Sequence, residues 1–163
     1  MCNKYLLDSN IFITAFRQHY PIDLMPAFWE KMKTDIAPKS IIISAVYKEL
    51  KDGQDALFDW ICQNENFFTV LGDPPLEVIE SFKIIINYVE KNKQYNRAAK
   101  DVFAKVADPW LCAYGMTFDY CIVTYEIYEP RSKKKIQIPN ICKEFNIKYL
   151  DMIDFLREIK FKI

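Results

Sequence analysis

Residues 4–13 read KYLLDSNIFI. Tyr5-Leu6-Leu7 is a short apolar run that stops at Asp8; Ser9 and Asn10 follow, and the chain turns apolar again at Ile11. A run apolar on both faces suits a strand buried in a parallel sheet, and Ser and Asn are residues that open helices. Asp8 is therefore expected at the carboxyl end of a buried strand, just before a helix. In open α/β sheets ligands bind at that edge. An aspartate there either serves a ligand or closes the turn and caps the helix, a common use of Asp.

Outward from this segment, strand-like runs alternate with helical patterns, the signature of a parallel α/β sheet. Strands are expected over 5–8, 41–44, 67–71, 120–124 and 147–150. Helices are expected over 10–18, 24–34, 45–51, 54–64, 75–92, 97–106, 108–117, 139–145 and 151–160. In 75–92, Leu76, Val78, Ile79, Phe82, Ile85, Ile86 and Val89 share one face at helical spacing, as core residues do. No repeat or linker splits the chain, and 163 residues suffice for one domain with a proper core, 1–163.

Composition excludes several chemistries. Only three glycines are present, at 53, 72 and 115, so neither a P-loop nor a dinucleotide-binding fingerprint can be written. His19 is the single histidine and the five cysteines form no C-x-x-C pair, which argues against a structural zinc site and against histidine acid–base catalysis. An odd number of cysteines in apolar surroundings suits reduced thiols in a cytoplasm. No charged-then-apolar pattern precedes Tyr5 and no apolar run approaches the ~18 residues of a membrane span, so neither a signal peptide nor a span is expected. Net charge is zero, with 22 basic and 22 acidic residues, so any contact with nucleic acid has to be local. Two segments are locally basic: 91–105, and 129–139 with Arg131, Lys133, Lys134 and Lys135 in a loop. Each is either a solvated face or a phosphate-contact surface.

Other acids fall near the same sheet edge. Strand 41–44 runs into Ser44, expected as a helix N-cap, with Glu49 a little over one turn inside that helix. Asp108-Pro109 reads as an N-cap followed by proline at the first helical position. Strand 120–124 ends at Thr124, with Glu126 two residues on. Each acid alone has a dull explanation, but four from separate segments would repel one another unless cations bound them. Carboxylates without His or Cys suit hard ions such as Mg²⁺ or Mn²⁺, which activate water for attack on a phosphodiester.

The order YLLDSNIFI, SAVYKEL (44–50), ADPWLCAYG (107–115), CIVTYE (121–126) resembles the PIN-domain ribonucleases. The tail IPNICKEFNIKYLDMIDFLREI (138–159) resembles their closing helix-strand-helix, and the match spans nearly the whole chain. It further resembles a PIN-like branch of bacterial and archaeal proteins of largely unknown function. The resemblance implies a three-layer α/β/α domain with a five-stranded, mainly parallel sheet in the order 3-2-1-4-5. It implies metal ligation and catalysis by Asp8, Glu49, Asp108 and Glu126, supported by Asn10, Ser44 and Thr124, with Mg²⁺ or Mn²⁺ as cofactor. Glu126 departs from the aspartate many members carry; being one methylene longer, it leaves the number of ions open.

The leading expectation is a cytoplasmic, metal-dependent endoribonuclease, the toxin of a toxin–antitoxin pair. Its partners would be RNA, a small antitoxin and a second copy of the chain, with no membrane. Arg131, Lys133, Lys134 and Lys135 would hold RNA phosphates from a mobile loop beside the acids. Two other readings stay open: a small-molecule phosphohydrolase, and an inactive RNA-binding or interaction module of the same fold. Against the first, haloacid-dehalogenase-like enzymes use a second aspartate two positions after the first, where this chain has Asn10.

Overall fold

Strands of two or three residues suffice for the sheet because each is covered on both faces. The computed structural model describes residues 2–163. Strands β1 (Tyr5–Leu7), β2 (Ser40–Ile42), β3 (Thr69–Val70), β4 (Cys121–Val123) and β5 (Tyr149–Leu150) form one sheet in the order β3-β2-β1-β4-β5. All four pairings are parallel. Every residue of β1, β2 and β4 is buried, so helices pack on both sides of the sheet centre, as a purely parallel sheet requires. This is the expected three-layer arrangement and strand order, with the Asp8 strand in the middle.

The helices are α1 (Ser9–Thr14), α2 (Pro26–Lys31), α3 (Ser44–Asp52), α4 (Ala56–Gln63), α5 (Leu76–Lys91), α6 (Arg97–Phe103), α7 (Asp108–Phe118), α8 (Ile138–Phe145) and α9 (Met152–Glu158). Two run on where sequence periodicity shows one continuous helix. After α1 the chain widens into a π turn over Ala15–His19, closed by the Tyr20 amide donating to the Ala15 carbonyl at 2.6 Å. Tyr20 then stacks on Phe28 with ring centroids 3.9 Å apart, and its carbonyl accepts from the Trp29 indole at 2.6 Å. After α2 a second π turn, Met32–Ile36, passes into a 3₁₀ turn at Ala37–Lys39. Pro38 lies in that turn and has no N–H to continue a helix.

Two local expectations fail at helix starts, and an alternative left open for Asp8 is narrowed. Ile43, not Ser44, is the N-cap of α3, and Ser44 is the first helical residue, so β2 ends one residue earlier than its apolar run suggests. Ala107 occupies the N-cap of α7, and the Asp108 side chain makes no capping hydrogen bond. Asp8 does stand at the N-cap of α1, yet its carboxylate does not cap. Both aspartates are left available for something other than helix initiation.

Helix α7 is the central pillar: Pro109, Leu111, Cys112, Ala113, Tyr114 and Gly115 are all buried. It packs on α5 through the stacked rings of Phe82 and Trp110, 3.9 Å between centroids, and a Ser81–Thr117 hydroxyl pair at 2.8 Å. The five cysteines are free thiols. No helix among the described residues is long and apolar enough to cross a membrane.

Gly115 lets α7 lie close to the chain entering β5. A Cβ there would come within 2.7 Å of Ile147 Cγ2 and 3.3 Å of the Tyr120 carbonyl oxygen. Alanine gains about 1 kcal/mol of helix propensity over glycine, whereas overpacking a filled core costs about 1–3 kcal/mol. Gly115→Ala is therefore expected to lower stability by about 1 kcal/mol net, roughly 2–4 °C in Tm for a domain of this size. A melting curve at or above that of the unchanged chain would contradict this packing account.

Candidate metal and nuclease site

The pairing of β1 with β4 places Asp8 beside Thr124. The Asp8 amide donates to the Val123 carbonyl at 3.1 Å, one step beyond the Leu7–Val123 pair. The buried Thr124 hydroxyl donates to Asp8 Oδ2 at 2.8 Å and accepts from the Glu126 amide at 3.0 Å. One hydroxyl thus orients the aspartate and fixes where the backbone carries Glu126. Asn10 serves Asp8 through its backbone N–H, which favours the charged carboxylate.

Glu49 projects from α3 and joins three elements. Its Oε2 accepts from the Ser9 hydroxyl at 2.7 Å and its Oε1 from the Ala107 amide at 2.8 Å, just before α7. Ser9 was not foreseen as a site residue; the signal was its position between Asp8 and Asn10 at a strand end. Ser44, expected to support the cluster, lines a cavity together with Lys48, Trp110 and Tyr114. The Glu126 side chain is only 7% exposed, and both its oxygens face the segment before α8. Oε2 accepts from the Ile138 amide at 2.6 Å, and Oε1 meets the Lys135 ammonium at 2.8 Å.

Asp108 differs from the others: among the described residues, none donates a hydrogen bond to its carboxylate. Burial, then the charges of Asp8, Glu126 and Glu49, push its pKa up to about 8. Asp8 is pushed up to about 6, chiefly by burial; the Thr124 hydrogen bond opposes this, and the charges of Glu126 and Glu49 add to it. The four acids therefore share one electrostatic neighbourhood, and Lys135 is a nearby cation that eases it. Burial works against the Lys135 charge, but its contact with Glu126 and the charges of Asp108 and Asp8 outweigh that and raise its pKa.

Among the described residues no group of three or more His, Cys, Asp or Glu side chains is arranged to hold a metal ion by itself. The donor chemistry nonetheless fits a hard cation: buried, mutually repelling carboxylates with no nitrogen or sulfur ligand, one of them unpartnered. Mg²⁺ commonly keeps several waters and binds through one or two carboxylates. Asp108 fits such a site best, because none of the described residues donates to its carboxylate. Asp8 comes next, since its Oδ1 has the Ser9 hydroxyl only at 3.5 Å while Glu49 and Glu126 each have a close partner on both oxygens.

The basic loop is tethered rather than mobile. The Gln94 amide donates to the carbonyls of Pro130 and Ser132 at 3.0 and 2.8 Å, and the Asn96 amide donates to the Lys133 carbonyl at 3.0 Å. Asn140 clasps Glu129 in both directions, at 2.9 and 2.8 Å. Arg131, Lys133, Lys134 and Lys135 are all exposed on this fixed frame, and Lys134 and Lys135 line a small cavity with Asp108.

Raised carboxyl pKa values mean that the folded chain binds protons the unfolded chain releases. The stability these groups give is present at low pH. It is lost as pH rises from the ordinary 3.8 through about 6 for Asp8 and about 8 for Asp108. Metal-free protein should therefore lose Tm steadily between about pH 4 and pH 8. Asp108→Asn should flatten the upper part of that slope. Equal slopes for the two chains in a thermal-melt series would contradict the clustering.

The sequence matches, over residues 5–163, a family described as a domain of unknown function (DUF4411). No curated protein matches it. Among solved structures the chain is similar to VapBC-1 from nontypeable Haemophilus influenzae, with a TM-score of 0.55 and 15% identity over 90% of this chain and 96% of that one. It is similar also to VapBC2 from Rickettsia felis, bound to a DNA fragment from their promoter, with a TM-score of 0.51 and 14% identity over 90% of this chain and 97% of that one. At such identities the likeness is one of fold, and the sheet order with the Asp8 strand at its centre agrees with the PIN-like fold expected from the sequence. The chain belongs to the DUF4411 family.

Proposed function

We propose that this protein is a metal-dependent endoribonuclease. The observation that carries the reading is the convergence of Asp8, Glu49, Asp108 and Glu126 on one electrostatic neighbourhood, with the carboxyls of Asp8 and Asp108 raised by burial and by their neighbours. Such a cluster is costly to fold without a compensating cation, so a catalytic use accounts for it better than a structural one. A bound Mg²⁺ or Mn²⁺ would activate water and stabilise charge on the phosphodiester.

The chain's own residues supply the rest. Asp8, held by Thr124, and the unpartnered Asp108 would hold the ion. Glu49, fixed by Ser9 and the Ala107 amide, keeps the entrance of α7 in register with α1. Glu126, fixed by the Ile138 amide and Lys135, closes the far side. Lys133, Lys134 and Lys135, with Arg131, would receive RNA phosphates that the acids alone would repel.

The fold shared with the two VapBC structures supports a place in a toxin–antitoxin pair, with a small antitoxin as partner and a second copy of the chain as a further one. A cytoplasmic setting follows from that role.

The test is cleavage of single-stranded RNA in Mn²⁺ or Mg²⁺, abolished by chelation. Asp8→Asn and Asp108→Asn should each lose at least about a hundred-fold in rate, the scale of removing a group that stabilises developing charge directly. Circular dichroism should show both variants folded. A folded Asp8→Asn chain with full activity would remove the catalytic assignment. Turnover of p-nitrophenyl phosphate without RNA cleavage would favour a phosphohydrolase instead.

For the loop, Lys133→Ala combined with Lys134→Ala should make the salt dependence of RNA affinity shallower by about 1.4, at roughly 0.7 for each phosphate that is no longer neutralised. An unchanged slope would return these lysines to the role of solvated surface.

A further inference from the structure

A cavity of about 330 Å³ opens at the same edge of the sheet as the acids and has no part in the site described above. Its walls include Ser44 at the start of α3, Lys48 within α3, Asp73 and Pro74, and Trp110 and Tyr114 of α7. Ser44 comes two residues after the end of β2, and Asp73 three residues after the end of β3. Both are thus on the carboxyl side of the sheet, towards β3 from Asp8.

Helix α7 separates this cavity from the lysine loop. Asp108 lines the small cavity with Lys134 and Lys135, while Trp110 and Tyr114 line this one. Two residues along a helix turn it by about 200° and advance it by only about 3 Å, so Asp108 and Trp110 lie on opposite flanks of the same end. Glu49 accepts from the Ala107 amide, next to Asp108, and Lys48 is its neighbour in α3.

The walls combine a fixed aromatic surface with polar groups at the rim. Phe82 covers one face of Trp110, with rings 3.9 Å apart and 15° from parallel, which holds the indole rigid. Tyr114 is buried among the core, and burial and then the Asp73 charge raise its hydroxyl pKa; both residues line the cavity. Lys48 is exposed beside them. The volume is at the small end of the roughly 300–1,000 Å³ of small-molecule sites, enough for one flat heterocycle and little more.

We propose that this cavity is a nucleobase-binding subsite, taking one unstacked base of a single-stranded RNA against Trp110 and Tyr114. The inference rests on the ribonuclease reading and deepens it. Sequence-tolerant recognition of single strands works this way, by stacking bases on aromatic side chains while cations track the backbone. Lys48 holds the phosphate on the cavity side, and Lys133–Lys135 hold the strand on the other flank of α7. The strand then crosses the acids between two anchored points, which orients one phosphodiester over Asp8 and Asp108.

The test measures binding of a fluorescent single-stranded oligoribonucleotide in Mg²⁺, on the full chain carrying Asp8→Asn to prevent cleavage. Trp110→Ala should weaken binding by about ten-fold or more, the scale of one base–aromatic stack, and Trp110→Phe by less than about three-fold. Ala45→Phe fills the cavity from its α3 wall, leaves the Trp110–Phe82 stack in place, and should reproduce the Trp110→Ala loss. It serves as the deciding variant should Trp110→Ala fail to fold. An oligomer of the same length with abasic ribose throughout should bind all these chains equally.

Folded Trp110→Ala or Ala45→Phe chains with unchanged affinity would overturn the subsite while leaving RNA cleavage by the unmutated protein intact. An abasic oligomer weakened as much as the base-bearing one would overturn the assignment of the cavity to a base. Absence of both RNA binding and RNA cleavage would overturn the ribonuclease reading, and this inference with it.

Discussion

Everything at the acidic edge depends on how β1 pairs with β4. That pairing is three residues long, from Tyr5 opposite Cys121 to Leu7 opposite Val123. It is extended by the Asp8 amide bonding to the Val123 carbonyl, and the next residue on β4's strand is Thr124. A slip of one residue would turn Thr124 to the other face of the sheet, because side chains alternate along a strand. Asp8 would then lose its hydrogen bond and Glu126 its backbone anchor. Each side chain of both strands is packed into the layer on its own face, so a slip would misfit the core on both sides, and close packing thereby fixes the register of a polar site.

The same edge stores a conflict that the rest of the fold contains. Buried carboxylates gather where desolvation and mutual repulsion both favour the neutral forms. The fold answers with fixed donors: the Thr124 and Ser9 hydroxyls, the Ala107 and Ile138 amides, and the Lys135 ammonium. Of the four acids, Asp108 alone receives none from the described residues. An edge so fully braced except at one buried carboxylate has the character of a site completed by something from outside the chain. Helix α7 divides the two cavities at this edge, its first turn carrying Asp108 on one flank and Trp110 on the other.

Much of this architecture was legible from residue pattern. The apolar runs ending in Asp8, Ser44 and Thr124 located the three central strands, because strands buried on both faces read as uninterrupted apolar segments. Alternation with helical stripes then fixed a parallel sheet, and right-handed crossovers limit how such a sheet can wind. The acids were visible because each follows a strand end or opens a buried helix. Helix starts were less legible. Ser44 and Asp108 are good capping residues by type, yet Ile43 and Ala107 take the caps, since tertiary packing of α3 and α7 overrides a preference worth about 1 kcal/mol.

The sequence by itself determined the alternation of buried strands with helices that makes a parallel sheet, and which acids follow a strand end or open a buried helix, because burial pattern and strand ends are local properties; the strand order came with the family resemblance, and the structure bears it out. Only the tertiary structure decided what each acid does there. Glu49 is engaged on both oxygens by residues 40 and 58 positions away and Glu126 by the chain just ahead of it, while among the described residues none donates to Asp108. Tertiary structure likewise made Ser9 a site residue and Ser44 a cavity wall, tied the lysine loop to Gln94 and Asn96, and put Trp110 against Phe82. These are contacts between segments separated by tens of residues. Their geometry is set by how helices settle on the sheet, and no spacing within one stretch of sequence records it.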